Sequence, residues 1–287
     1  MLIGRTGPRL GSGTARSPAP PTPGTPGRER VIRAIVFDLD NTLTDFMKMK
    51  GAAIDAALDG MVDAGLVVSR EVLREHIWRV YNDRGIEYQQ VFDAALQEAA
   101  GEIDPRVLAA GVVAYRRARE STLVLYPHVQ YTLLGLVKRG LRLGVVSDAP
   151  RNQAWLRLAS LQLHNLFDAV VTFEDTHQRK PSPGPFRKTL EVLGVAPDEA
   201  LMVGDWAERD VVGAAQVGIR TVFARYGDTF GTVASGADFE VNDVIELLDI
   251  VDTLNGRPLE TRAPTRVVLP EGPPAPRPPG IAQEGKR

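Results

Sequence analysis

The chain has 287 residues, a formal net charge of −2 and no cysteine. The length suits one large or two modest domains. The near-neutral balance gives no electrostatic case for nucleic acid or an anionic membrane. The lack of cysteine removes disulfides, thiolate nucleophiles and cysteine-ligated zinc, and fits a reducing compartment. No apolar run approaches the roughly 20 residues that span a bilayer. Met1-Leu-Ile-Gly-Arg5 has no apolar core of a secretory signal. A cytoplasmic protein is expected.

Residues 1–30 are rich in Pro, Gly, Ser, Thr and Arg, too poor in apolar side chains to offset the entropy of ordering, and are expected to be disordered. The run Val31–Phe37 then reads as a buried strand. It ends in Asp38 and Asp40, one residue apart. Neighbouring anions repel, so each is costly unless a cation or a proton is shared. A bound metal is the cheapest resolution, with one carboxylate left for chemistry.

From Met47 to Ser121 the pattern is helical throughout. Ile54, Leu58, Met61 and Val62 recur at helical spacing up to Gly65. Ser69 opens a second helix through Ile77, Trp78 and Tyr81 to Gly85. Val91 to Ala99 makes a third, ended by Gly101. Asp104-Pro105 starts a fourth, with proline in the first turn. Strands follow at Leu141–Val146, Ala169–Phe173, Ala200–Gly204, Ile219–Phe223 and Asp238–Val241. Helices are expected at Gln153–Leu163, Pro185–Leu193, Val211–Val217 and Val244–Leu254. Such alternation predicts an α/β fold with a parallel sheet covered on both faces. The sheet domain is then 31–45 with 122–255, and 46–121 is a helical insertion standing over it. Residues 256–287 are a second Pro/Arg-rich tail, expected to be disordered or polyproline-like. A partner-recruiting role for that tail is an alternative of a different class.

Ligands in open parallel sheets sit beyond the carboxyl ends of the strands. Asp38 and Asp40, Ser147 and Asp148, Glu174 and Asp175, and Asp205 all fall there. Asp38, at a strand tip, suits in-line attack on phosphorus to form an aspartyl-phosphate. Asp40 suits protonating the leaving alkoxide and then activating water. Plainer roles are a loop cap for Asp38 and a helix N-cap for Asp40. A phosphate dianion meeting Asp38 needs positive charge between them, and Mg²⁺, held by Asp38 and Asp205, supplies it. Lys180 offers a second positive charge. Ser147 offers its hydroxyl to a phosphate oxygen, although serine after a strand is also a common turn residue.

The four elements Phe37-Asp38-Leu39-Asp40-Asn41-Thr42-Leu43, Val146-Ser147-Asp148, Lys180-Pro181 and Gly204-Asp205-Trp206-Ala207-Glu208-Arg209-Asp210 resemble the haloacid dehalogenase superfamily over about residues 31–240. The resemblance implies a Rossmann-like core with a helical cap. It adds the backbone carbonyl of Asp40 to the metal ligands, and has Asp210 support a metal-bound water or Lys180. Asp210 in a helix's first turn also suits the helix dipole. The family often follows its Ser or Thr with a small polar residue and Gly. Here Asp148 intervenes, either facing a substrate hydroxyl or fixing the loop. The function expected is an Mg²⁺-dependent phosphatase of a small phosphorylated metabolite, with Asp148 grouped beside Ser147 and Lys180 as substrate-contacting. Family members of archaeal type with similar spacing are small-molecule phosphatases, triose phosphates among their substrates. A phosphomutase or a 2-haloacid dehalogenase is the alternative, though the latter leaves Asp40 and Asp205 without a task. The four histidines read as structural or surface residues. Trp206 suits the pocket wall or core packing, and Arg116–Arg119 a solvated helix face. Lys48 and Lys50 lie near the first loop, placed to touch an anionic substrate. Oligomeric state is not legible.

Overall fold

The computed structural model describes residues 31–256. The tails expected over 1–30 and 256–287 lie outside these residues, apart from Gly256. Strand β1 (Ala34–Phe37) is wholly buried. It begins three residues later than the apolar run suggests, because Val31 is exposed and the Ile32 N–H bonds the Asn255 side chain at 2.6 Å.

Helices α1 (Phe46–Asp63), α2 (Arg70–Arg84), α3 (Val91–Ala100) and α4 (Pro105–Thr122) follow without a strand between them. Their ends carry the signals that the sequence shows. Ser69 accepts from Val72 N–H and Asp104 from Arg106 N–H. Gly85 and Gly101 take positive φ at the stops, where a side chain would be strained. The four helices enclose a core of their own, with Ile54, Leu58, Met61, Leu73, Ile77, Phe92 and Val107 buried together. Gly111 lets α4 approach α1, since a Cβ there would run into the Met61 side chain.

The chain leaves the sheet at Thr44 and returns at Leu125. The two connections pair with each other: Thr44 Oγ1 donates to Val124 O at 2.6 Å, and Tyr126 N–H donates to Leu43 O at 3.1 Å. The return leads into α5 (Val129–Lys138). The sequence reading has no element here, and the physical reason is clear. His128 gives no side-chain cap, and Gly135 interrupts a helix that needs it for contact with Leu248.

The remainder alternates as expected: β2 (Arg142–Val146), α6 (Arg151–Ser160), β3 (Ala169–Val171), α7 (Phe173–Thr176), α8 (Pro183–Leu193), β4 (Ala200–Gly204), α9 (Val212–Ala215), β5 (Arg220–Ala224), β6 (Phe239–Val241) and α10 (Leu247–Leu254). Strand β3 stops at Val171 because Thr172 turns to cap α7 in a capping box with Asp175. A π-helical turn, Ala207–Val211, precedes α9. Among the described residues the sheet is six-stranded and parallel, in the order β3-β2-β1-β4-β5-β6. Apolar layers cover both faces: Phe37, Leu133, Leu143, Leu201 and Leu247 lie on one side, and Val36, Phe186, Leu193 and Met202 on the other. Both faces being buried explains why these strands read as continuous apolar runs. No described helix is long and apolar enough to cross a membrane.

Gly111→Val forces a branched side chain into Met61 and is expected to destabilise the protein by about 1–3 kcal/mol. Thermal unfolding followed by circular dichroism measures it, and an unchanged midpoint would contradict the close α1–α4 contact.

Candidate active site

β1 and β4 are neighbours at the middle of the sheet, so residues following them meet at its carboxyl edge. Asp38 and Asp205 do so, and the π-helical turn brings Asp210 beside them. Oxygens of the three carboxylates lie within 4.8 Å of one another, all on buried residues. Gly204 makes this approach feasible, since a Cβ there would overlap the Asp210 carboxylate. Asp210 Oδ2 also accepts from Trp206 N–H at 3.0 Å, which holds the turn closed over the site.

Lys180 enters from the loop before α8. Its Nζ donates to Asp38 Oδ1 and to Asp210 Oδ1, each at 2.6 Å. Thr42 Oγ1 donates to Asp205 Oδ1 at 2.9 Å. Three carboxylates thus share one ammonium. Burial pushes the Asp38 carboxyl up to about 7. Lys180 opposes this, and Asp210 and Asp40 reinforce it. Burial also raises Asp205 well above the usual carboxylate range, with Asp38 and Asp210 adding to the effect. The cluster is two positive charges short of neutrality at full ionisation. Its donors are hard carboxylate oxygens, and those suit a small divalent cation. The residues therefore fit Mg²⁺, with Asp38 and Asp205 as candidate ligands.

Asp40 lies on the turn after β1, where Leu43 N–H returns to Leu39 O and Asn41 takes φ 60°. Its Oδ2 accepts from Arg157 Nη1 at 2.8 Å, while its Oδ1 is buried and has no partner among the described residues. Burial raises the Asp40 carboxyl; Arg157 pulls it down and Glu87 pushes it up. Arg157, on α6, also pairs with Glu87 of the helical insertion. The sequence reading singled out neither residue. An arginine within a helix pattern carries no signal until folding buries it against a carboxylate.

Ser147 ends β2. Its hydroxyl accepts from Ala149 N–H at 3.2 Å, and no hydrogen bond among the described residues uses its own proton. Asp148 turns towards the lysine loop: Oδ1 accepts from Lys180 N–H at 2.9 Å, and Oδ2 from Arg209 at 3.1 Å. Both oxygens are engaged in bracing loops. Glu174 and Asp175 are likewise committed within the chain, to Arg151 and Thr172. Trp206 meets Phe230 with ring centroids 4.4 Å apart and planes tilted by 41°, and Arg209 lies over it at 3.7 Å. Lys48 is exposed, whereas Lys50 is buried. A cavity of about 220 Å³ opens between the insertion and α6. Lys50, Tyr81, Glu87, Tyr115, Arg119 and Arg157 are among its walls. Arg116 and Arg119 border this cavity, so the basic run is not simply a solvated face.

A family model described as haloacid dehalogenase-like hydrolase matches residues 35–224. The chain is 31% identical over 237 residues to a glyceraldehyde 3-phosphate phosphatase of Pyrococcus furiosus, covering 82% of this chain and 99% of that protein. It is 30% identical over 230 residues to a phosphoglycolate phosphatase of Shigella boydii, covering 75% and 88%. Among solved structures, a HAD phosphatase from Thermococcus onnurineus superposes with a TM-score of 0.60 at 27% identity, covering 77% of this chain and 98% of that one.

Gly227 packs against the turn that carries Asp40: a Cβ there would overlap the Asn41 carbonyl oxygen and crowd Asp205. Gly227→Ala is expected to displace that turn and lower phosphatase kcat by about 10²-fold, with an assay on an aryl phosphate as the check. Wild-type turnover in this variant would remove the turn's position from the account.

Proposed function

We propose, for a chain that belongs to the haloacid dehalogenase-like hydrolases and is a phosphoric monoester hydrolase of that family, a two-step transfer of the phosphoryl group through Asp38. The observation that carries the reading is the buried cluster of Asp38, Asp205 and Asp210 around Lys180, with Asp40 and its unpartnered oxygen on the adjoining turn.

Asp38 attacks phosphorus in line, and the bond to the ester oxygen breaks. Asp40 gives its proton to the departing alkoxide. Burial and Glu87 help Asp40 hold that proton, and the Arg157 contact fixes its orientation. Asp40, now ionised, takes a proton from water, which attacks the aspartyl-phosphate and releases phosphate. Lys180 and the Ser147 hydroxyl stabilise charge on the phosphoryl oxygens. Asp38, Asp205 and the Asp40 backbone carbonyl would hold Mg²⁺, which would supply positive charge for the phosphoryl transfer. Asp210 holds Lys180 in place, and Asp148 braces the lysine loop rather than touching substrate. The helical insertion, 46–121, serves as the cap that closes over the leaving group. A short-chain phosphate ester is the substrate, with glyceraldehyde 3-phosphate and phosphoglycolate as first candidates from the relatives' names. A cytoplasmic location accords with this role.

Asp38→Asn is expected to abolish phosphate release, and Asp40→Asn to reduce kcat by about 10²–10⁴-fold. The purified protein is assayed with aryl phosphate and a panel of sugar, triose and two-carbon phosphates, with Mg²⁺ and with chelator. Absence of hydrolysis on every ester would refute the reading.

A second expectation concerns pH. Burial holds the folded-state pKa of Asp38 near 7, above the ordinary carboxyl value of 3.8. In the metal-free protein its contribution to stability is therefore present below about pH 4 and is lost as pH rises through about 7. Cation binding needs the ionised carboxylates and relieves their repulsion. The rise in Tm on adding Mg²⁺ should be larger at about pH 8 than at about pH 5. Calorimetry at the two values checks it, and an equal rise would count against the cluster as the cation site.

A further inference from the structure

Lys50 is a buried cation that the phosphoryl-transfer chemistry does not use. It sits on α1 with only 5% of its surface exposed. Its Nζ lies 4.3 Å from the Tyr81 ring centroid, 5.6 Å from Tyr115 and 5.8 Å from Phe46. Among the described residues no hydrogen bond or ion pair engages it. Burying an ammonium is costly unless it is paired, and aromatic faces recover only part of that cost. The missing partner has a place to sit, because Lys50 lines the cavity between the insertion and α6. Lys50 is near enough to Asp40 for its charge to act on that carboxyl. Arg157, a wall of the same cavity, binds Asp40 at 2.8 Å, so a molecule whose leaving oxygen meets Asp40 can reach Lys50 with its far end.

The charge of the missing partner follows from the walls. Arg116, Arg119, Arg157 and Lys50 line the cavity against Glu87 and Glu120. Arg157 is already shared between Asp40 and Glu87, which leaves Lys50 as the buried cation without a carboxylate. A single negative charge matches it. We propose that Lys50 is a specificity-determining residue that receives a carboxylate on the leaving group, so that preferred substrates are short phosphorylated hydroxy acids rather than their neutral aldehyde or alcohol counterparts. The proposal rests on the phosphatase reading and deepens it.

Two matched pairs of esters test it: phosphoglycolate against 2-hydroxyethyl phosphate, and 3-phosphoglycerate against glyceraldehyde 3-phosphate. Each pair keeps its carbon count and differs chiefly in the carboxylate. The readout is the ratio of kcat/KM within a pair, measured for the wild-type protein, Lys50→Met and Lys50→Arg. The wild type is expected to favour the carboxylate in at least one pair by about 10–100-fold, mostly through KM. Lys50→Met should bring that ratio close to one, and Lys50→Arg should keep much of it. General damage to the fold lowers both members of a pair and leaves the ratio in place. A wild-type ratio near one, a preference for the neutral ester, or an undiminished ratio in Lys50→Met overturns the proposal. So does a bisphosphate that outruns both carboxylates. If Lys50→Met does not fold, Lys50→Gln replaces it, and the wild-type ratio stands as its own test. Hydrolysis of aryl phosphate without any carboxylate preference sinks only this proposal, whereas no hydrolysis of any ester sinks the phosphatase reading beneath it.

Discussion

Three buried carboxylates around one lysine set the terms for the rest of this structure. Asp38, Asp205 and Asp210 could not stay ionised together inside a protein without compensation, since like charges at this range raise one another's pKa. Lys180 supplies one positive charge through two bonds of 2.6 Å. The remaining deficit matches a divalent cation. Much nearby architecture serves to make this crowding possible. Gly204 yields space for the Asp210 carboxylate, Gly227 lets the turn after β1 approach Asp205, and Thr42 satisfies an Asp205 oxygen. The electrostatic strain of the metal-free cluster is also its function, because a site that binds both a cation and a phosphate dianion must be incomplete without them.

The components of this cluster were legible in the sequence because strand ends are legible. Apolar runs that stop at Asp38, Ser147 and Asp205 are buried on both faces in the fold, so the first polar residue after each run emerges at the functional edge. Lys180 was found by its resemblance to a family motif, since a lysine before proline has no periodic signal of its own. What escaped was set by tertiary contact alone. Arg157 lies within an ordinary amphipathic helix, and only packing places it between Asp40 and Glu87. Helix α5 escaped because its start at His128 has no side-chain cap, although Lys138 and Gly140 mark its end. The π-helical turn at Ala207–Val211 also has no sequence signature, yet it is what aims Asp210 inward.

Arg157 joins two parts of the molecule that the sequence reading kept separate. It belongs to the sheet domain, but its guanidinium binds a catalytic candidate on one side and the helical insertion on the other. The Phe46 ring lies against it at 4.4 Å, at the very start of the insertion. The paired connections at Thr44 and Leu125 constrain the same junction from its covalent side. The insertion is thus coupled to Asp40 by an ion pair as well as by the chain. Its position bears on the orientation of Asp40 and on the shape of the adjoining cavity, two properties that an ester's leaving group meets at once.

The two buried lysines make the division of labour plain. Lys180 and Lys50 are equally hidden, at 5% exposure each, yet their surroundings are opposites. Lys180 lies among more carboxylates than it can neutralise, so its neighbourhood attracts cations. Lys50 faces aromatic rings and an open cavity, with Arg116 and Arg119 on the same walls, so its neighbourhood attracts anions. A phosphate ester bearing a carboxylate has need of both. Its phosphoryl end requires positive charge brought to an acidic cluster, while its other end finds positive charge already in place. The carbon skeleton between them would span from the cluster past Asp40 to the cavity, which is where the leaving oxygen must be for Asp40 to protonate it. One polarity of binding therefore aligns the ester for reaction, and a neutral leaving group loses that alignment at its far end.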